Sequence, residues 1–139
     1  MVDGFIANYG SYREDFPETD IPWEATVFAE ITSETPKLLS IDFNSYTFTG
    51  GAHGYGSNTY MNFNPETGAV YTHKDLFTPA FKDFVEKDFR NKENIPQGEN
   101  INSTGMFFEN DEFHLPANIG FRNDKLILTY NPYEIAAYV

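Results

Sequence analysis

Apolar residues recur along this chain in two periods, one helical and one alternating. Helical spacing runs from Phe5 to Phe16, and Pro17 stands where a helix has to end. A second helical stripe follows the pair Thr78-Pro79, which is typical of an N-cap and a first helical position. Its apolar members are Phe81, Phe84, Val85 and Phe89. The pattern therefore predicts two helices, each with one apolar face.

Alternation of apolar and polar residues, the period of a half-buried strand, begins at Trp23. The apolar positions of this first strand are the odd ones: Trp23, Ala25, Val27, Ala29 and Ile31. A second strand places Leu39, Ile41 and Phe43 on one face. We expect the apolar face of each strand to be the buried one.

Turn signals divide the rest of the chain. The runs Thr59–Phe63 and Ala69–Tyr71 flank the turn Asn64–Gly68, which contains both proline and glycine and predicts a hairpin. Residues 91–105 are polar and lack periodicity, so we expect a mobile loop there. Three strand-like runs close the chain, the first two joined by a tight turn at Asn123-Asp124: Phe113–Phe121, Lys125–Tyr130 and Tyr133–Val139.

Composition favours sheet over a helical bundle. The chain has 14 Phe and 9 Tyr among 139 residues, so its core is expected to combine large aromatic rings with Ile and Val. A chain of this length can bury a core within one domain. We therefore predict a single α+β domain, over residues 1–139, with a mainly antiparallel sheet and two helices.

A formal net charge of -12 narrows the range of partners. It repels polyphosphate, and no stripe of Lys or Arg offsets it, so nucleic acid is not expected as a partner. The same charge attracts cationic proteins. Cysteine is absent, which excludes disulfides and thiolate zinc sites, and no apolar run is long enough for this segment to insert into a membrane.

An aromatic strand ends in a glycine cluster within Tyr46–Gly56, around His53. Glycine permits positive backbone angles and close approach by another segment. We assign this geometric role to the cluster and to one later turn: Gly50, Gly51, Gly54 and Gly68. The histidine is the residue of this loop that can act as acid, base or metal ligand near neutral pH. A structural role, through a backbone hydrogen bond, and a functional role both stay open.

A binding site at this loop would draw on its aromatic residues. The candidate binding residues are His53, Gly54, Tyr55, Tyr46 and Tyr133. Tyrosine offers contact area and a hydrogen bond at low entropic cost, although core packing is its commoner role in a chain this aromatic. No Gly-x-Ser-x-Gly elbow is present, and the three histidines lack the spacing of a zinc motif. We therefore assign no catalytic residue, no metal and no cofactor.

Three motifs carry a resemblance to a known family: Phe48–Gly54, Asn62–Gly68 running on to Asp75–Phe77, and Tyr130–Ala136. They resemble the domain of unknown function that forms the extracytoplasmic C-terminal part of the anti-sigma-V factor RsiV, a lysozyme receptor. A similar domain precedes catalytic domains in some peptidoglycan deacetylases and occurs in bacterial lipoproteins. The resemblance covers the chain from Trp23 to Tyr138 and implies a strand-rich α+β fold. The last motif departs from the family pattern at Ala137, where a proline is usual.

The resemblance implies a non-enzymatic binding or sensing module of the bacterial cell envelope. Such a module would be periplasmic or surface-exposed and anchored by a segment outside this chain, as a fragment of a longer protein. Residues 1–22 would form an N-terminal helix and entry to a family-like core over residues 23–138. Its ligand would be a cell-wall component or a protein, such as a cationic lysozyme-like one. The alternative is a cell-wall hydrolase with His53 as general base.

Overall fold

The computed structural model describes residues 2–137 and confirms the α+β class, with antiparallel sheets and two substantial helices. Its elements, in chain order, are α1 (Val2–Asp15), β1 (Glu24–Thr35), β2 (Leu38–Phe48), β3 (Tyr55–Phe63), α2 (His73–Leu76), α3 (Ala80–Lys92), β4 (Asn118–Arg122) and β5 (Lys125–Thr129). One sheet has the order β1-β2-β3, and the second pairs β4 with β5.

The chain forms two compact units. The first contains the residues up to Phe28 together with Asn44–Ser57, and the second contains Ala29–Phe43 together with the residues from Asn58 onward. The single domain over residues 1–139, with its boundary between residues 22 and 23, stays a prediction.

The first unit is organised around Trp23. Helix α1 ends two residues before Pro17, as the sequence predicts, and three of its rings pack against the indole. Their centroids lie 5.8, 5.5 and 5.1 Å from that of Trp23, for Phe5, Tyr9 and Tyr12 respectively. Aromatic pairs at such distances stabilise a fold beyond the area they bury.

Glycine is required in the predicted turns for two different physical reasons. Gly50, Gly51 and Gly68 have φ angles of 89°, 101° and 72°, in the left-handed region that favours glycine. Gly54 instead makes room for a neighbour, because a Cβ atom there would overlap the outer edge of the Tyr46 ring.

The core of the second unit combines isoleucine with aromatic rings, as composition predicted. Its buried members are Ile95, Ile101, Phe108, Phe113 and Ile135. Phe89 of α3 meets the Phe108 ring edge to face, with centroids 5.5 Å apart and an interplanar angle of 89°. Helix α3 therefore packs on this core through the face that carries Val85 and Phe89.

Residues 93–105 form the predicted loop, without helix or strand, but this loop is packed on the core. Asn91 and Lys92 complete α3, and the isoleucines at 95 and 101 are both buried in the core. The Asn102 side chain binds this segment to the backbone of Phe108. Its Oδ1 accepts from Phe108 N at 2.7 Å, and its Nδ2 donates to Phe108 O at 2.9 Å. Two isolated isoleucines anchor the segment without producing any periodicity that a sequence pattern could detect.

The predicted buried faces of the first two strands are wrong. Val27 and Ile31 are 56% and 58% exposed, whereas the buried residue of β1 is Thr32. In β2 the fully buried side chains are Ser40 and Asp42, which alternate with the predicted apolar face.

The reason for this inversion is the backbone of β4, which pairs with β5 in a sheet of two strands. Thr32 Oγ1 donates to Phe121 O at 2.6 Å, and Ser40 Oγ accepts from Phe121 N at 3.0 Å. Asn62 Nδ2 donates to Ile119 O at 2.7 Å. Polar side chains of β1, β2 and β3 thus satisfy β4 backbone groups, which would otherwise be buried without partners.

Several predicted element boundaries also change. Helix α3 begins at Ala80 with Pro79 as its N-cap, so Thr78 is not the cap, and Phe84 is 69% exposed rather than part of the buried stripe. The first closing strand is confined to β4, whereas the hairpin turn at Asn123-Asp124 is confirmed. The hairpin after β3 closes with the predicted turn, but its second arm is a single bridge, between Phe63 and Val70.

The predicted last strand, Tyr133–Val139, is absent from residues 133–137, which form turns and bends; Tyr138 and Val139 lie outside the described residues. Tyr133 has a φ angle of 67°, which is incompatible with an extended strand. The Asn131 side chain instead clamps the backbone of Asn58, accepting from its N at 2.8 Å and donating to its O at 3.0 Å. A side-chain clamp between residues 73 positions apart thus replaces strand pairing here.

Candidate functional site

The candidate site is a groove beside Val70–Lys74, which contains the end of the connection between β3 and α2 and the first two residues of α2. After the turn at Asn64–Gly68 the chain returns along β3, where Tyr71 N donates to Asn62 O at 2.7 Å. The bridge to Phe63 holds the start of this segment. Strand β3 therefore fixes one wall of the groove.

Thr72 and Asp75 fix the start of α2. The backbone N and the Oγ1 of Thr72 both donate to Asp75 Oδ2, at 2.7 and 2.6 Å. These hydrogen bonds, which stabilise the ionised carboxylate, lower the pKa of Asp75. The two residues between them, His73 and Lys74, are consequently held at defined positions.

The groove has two parts, which share His73 and Lys74. The first has a volume of about 570 Å³ and is lined by Tyr60, Met61, Asn62, Val70, Tyr71, Thr72, His73, Lys74, Ala117 and Ile119. The second, of about 470 Å³, adds a mainly apolar surface: Phe77, Thr78, Pro79, Phe81, Lys82 and Leu115. The Phe77 and Phe81 rings stack with centroids 4.0 Å apart. Volumes of this size are typical of sites that bind small molecules or short peptide segments.

The groove is cationic although the chain is strongly acidic. Among residues 2–137, its lining contains Lys74 and Lys82 but no Asp or Glu. Neither lysine has an ion-pair partner within residues 2–137. Local charge therefore favours a ligand with an anionic group at this place.

Asn62 supplies a buried polar group to the same lining. The residue is 5% exposed, and while its Nδ2 donates to Ile119 O, its Oδ1 has no hydrogen-bond partner within residues 2–137. A buried acceptor without a donor raises the free energy of the folded protein. An N–H or O–H donor that reaches this oxygen would satisfy it.

Tyr60, which lines the groove, interacts with a network of charged side chains centred on Arg122. Arg122 Nη2 lies 3.0 Å from Glu30 Oε2 and 3.4 Å from Asp42 Oδ2, and it also hydrogen-bonds Tyr60. Burial, with the charge of Asp42 nearby, raises the pKa of Tyr60, and the hydrogen bonds to Glu30 and Tyr60 raise the pKa of Arg122. The phenol therefore stays protonated, and Arg122 stays charged.

The predicted binding residues do not line this groove. Tyr133 belongs to the second unit, and the other four belong to the first: His53, Gly54, Tyr55 and Tyr46. His53 is exposed, and its Nδ1 lies 3.0 Å from Gly54 O, as expected of the tautomer that donates from Nδ1. A binding role for these five residues stays a prediction.

Sequence reasoning missed the cationic groove. Lys82 lies on α3 and Lys74 on α2, so only the folded chain shows that they line one surface. Two signals were nevertheless present in the sequence. Thr72-x-x-Asp75 has the spacing of a capping pair, and Asn62 opens the second of the family motifs.

Within the described range, residues 2–137, no three His, Asp or Glu side chains come close enough together to hold a metal ion. No helix in that range has the length and apolarity needed to cross a membrane.

Comparison with known families gives two matches along the chain. The family model described as Deacetylase PdaC matches residues 2–55, and the model described as a protein of unknown function, DUF3298, matches residues 74–139. No curated protein matches the chain.

Two crystal structures of DUF3298 family proteins share this fold. The protein from Pseudomonas aeruginosa matches 93% of this chain with a TM-score of 0.63 and 23% identity. The protein from Bacteroides fragilis matches 99% of it with a TM-score of 0.63 and 21% identity. The chain spans 60% of the length of each of these proteins. At this level of identity the likeness shows the fold and nothing finer.

Proposed function

We propose that this chain is a non-enzymatic binding or sensing module of the bacterial cell envelope, because family models described as Deacetylase PdaC and DUF3298 match successive parts of it. The observation that carries this proposal is the groove around His73 and Lys74. It offers an apolar surface, a buried acceptor and two lysines that have no ion-pair partner among the described residues. Such a combination is typical of ligand recognition.

The chemistry of the groove favours binding over hydrolysis. Hydrolysis of a wall saccharide or peptide requires a positioned acid and base, or an activated nucleophile. No carboxylate among residues 2–137 lines the groove with His73, and the hydroxyl of Thr72 already donates to Asp75. The groups that remain are suited to holding a ligand in place.

The proposed location is extracytoplasmic, at the periplasmic or outer surface, with an anchor outside this chain. This rests on the resemblance to domains of lipoproteins, deacetylases and an anti-sigma factor. The ligands met in that compartment include peptidoglycan fragments, which carry both apolar and carboxylate groups. An anionic wall fragment fits the charge of the groove.

Soluble peptidoglycan fragments should bind to the intact protein in calorimetric titration. Replacing the groove lysines, Lys74→Gln with Lys82→Gln, is expected to weaken binding about tenfold, because charge-assisted contacts are lost. The control is Lys87→Gln with Lys125→Gln, which removes the same charge at exposed positions outside the groove. Equal weakening in both pairs would contradict groove binding. Turnover of the fragments that disappears in His53→Ala would instead support the hydrolase.

A cationic protein is the second candidate ligand, and the observation that favours it is the net charge of -12. A lysozyme-like protein should associate quickly at low salt and more slowly at about 0.15 M salt, where the Debye length is about 8 Å. Stopped-flow measurement of the association rate at both salt concentrations tests this, and calorimetric titration of lysozyme at both tests binding itself. Absence of heat at both would exclude lysozyme as a ligand, and binding confined to low salt would reduce it to nonspecific attraction.

A further inference from the structure

We propose that the part of the groove between Asn62 and Lys74 binds the carboxyl-terminal residue of a peptide. The inference rests on the proposed function and specifies the ligand that its groove receives. Three features of the lining point to this class: an unsatisfied acceptor, unpaired cations and a small apolar surface. The carboxyl-terminal residue of a peptide has a matching group for each feature: an amide N–H, a carboxylate and a side chain.

The first feature is the Asn62 Oδ1 acceptor. Its amide is fixed in orientation, because Nδ2 donates to Ile119 O, and among residues 2–137 the oxygen has no donor. A neutral acceptor buried to this degree selects a donor and rejects a ligand that presents another acceptor. The amide N–H of the terminal residue provides that donor.

The second feature is the charge of the lining. Lys74 belongs to both parts of the groove and Lys82 to the second part. No carboxylate within residues 2–137 lines either part. An ammonium group without an internal partner forms a charge-assisted bond with a carboxylate ligand. The terminal carboxylate is the anionic group that stands next to the bound amide.

The third feature is the apolar surface between the polar groups, to which Met61, Val70 and Ile119 contribute. It suits a small side chain, such as the methyl group of alanine. Two sources present this chemistry outside the cytoplasm: the peptide of the cell wall, which ends in D residues, and the C-terminus of a protein, which ends in an L residue.

The test uses N-acetyl-D-alanyl-D-alanine and its L form as probes, titrated into the intact protein and followed by calorimetry and by amide chemical shifts. The C-terminal amide, which lacks the negative charge, is expected to bind at least about tenfold more weakly than the acid. The ester analogue, which replaces the terminal N–H by oxygen, is expected to lose about tenfold as well. Because both changes are made in the ligand, they test the site without the risk that an Asn62 variant fails to fold.

Protein variants then locate the effect. In Lys74→Gln the difference between acid and amide should disappear, whereas Lys87→Gln should retain it. Equal affinity for acid, amide and ester, or shift changes that avoid Asn62, would overturn the proposal. If wall fragments bind in the groove while these probes show no such preference, the proposed function survives and the terminal-residue inference fails. Tighter binding of the L form would support recognition of a carboxyl-terminal residue and would identify the ligand as the C-terminus of a protein.

Discussion

Ile101→Ala is expected to lower the free energy of unfolding by about 2 to 5 kcal/mol, although the residue lies in a stretch that reads as a polar loop. Ile101 is 1% exposed and belongs to the core cluster with Ile95 and Phe108. Truncation removes buried methyl and methylene groups and leaves a cavity in a packed region. Urea denaturation followed by circular dichroism measures the loss.

Phe84→Ala is the matched control, because it removes a larger side chain from a position that the sequence pattern assigned to the core. Phe84 is 69% exposed on α3, so its truncation should cost less than about 1 kcal/mol. The opposite order, with Phe84→Ala the more damaging substitution, would show that residues 91–105 detach from the core and that α3 turns its other face inward.

Local signals were sufficient for much of the secondary structure. Helix α1 ends just before Pro17, and the turns at Asn64–Gly68 and Asn123-Asp124 lie where their residues predict. In each case, residues within a few positions determine the backbone conformation. The relevant physical causes are therefore present in the sequence itself.

The inward faces of the strands depend on partners that are distant in sequence. Ile31 reads as a core residue from its alternation, yet Thr32 is buried because Phe121, 89 residues away, needs its hydroxyl. Ser40 is buried for the same reason. No local pattern shows that a polar side chain will be required to satisfy the backbone of another strand.

The same limit applies to the candidate site. The glycine cluster around His53 is conspicuous in the sequence because its residues are adjacent, whereas the groove gathers Asn62, Lys74 and Lys82 from β3, α2 and α3. The capping pair at Thr72 and Asp75 could have indicated where α2 begins. It could not have indicated which distant residues line the groove together with α2.

Gly120→Ala is the second substitution with a large expected effect, about 2 to 3 kcal/mol of lost stability. Gly120 is buried in β4 opposite Ile127, and a Cβ atom there would overlap the root of the Tyr60 ring, at Cγ and Cδ1. That part of a ring cannot move without a change in the whole side chain. The Tyr60 hydroxyl also interacts with Arg122 and Asp42.

Gly54→Ala separates this mechanism from a general cost of adding a methyl group. A Cβ atom at Gly54 would overlap only the outer edge of Tyr46, which is 41% exposed and can turn into solvent, so the expected loss is below about 1 kcal/mol. Thermal and urea unfolding of both variants test the difference. In a Tyr60→Ala background the overlap is absent, so Gly120→Ala should cost clearly less there than in the parent protein. If its cost were the same in both backgrounds, contact with Tyr60 would not be the reason for glycine at this position, and the close approach of β3 to β4 would lose its main support.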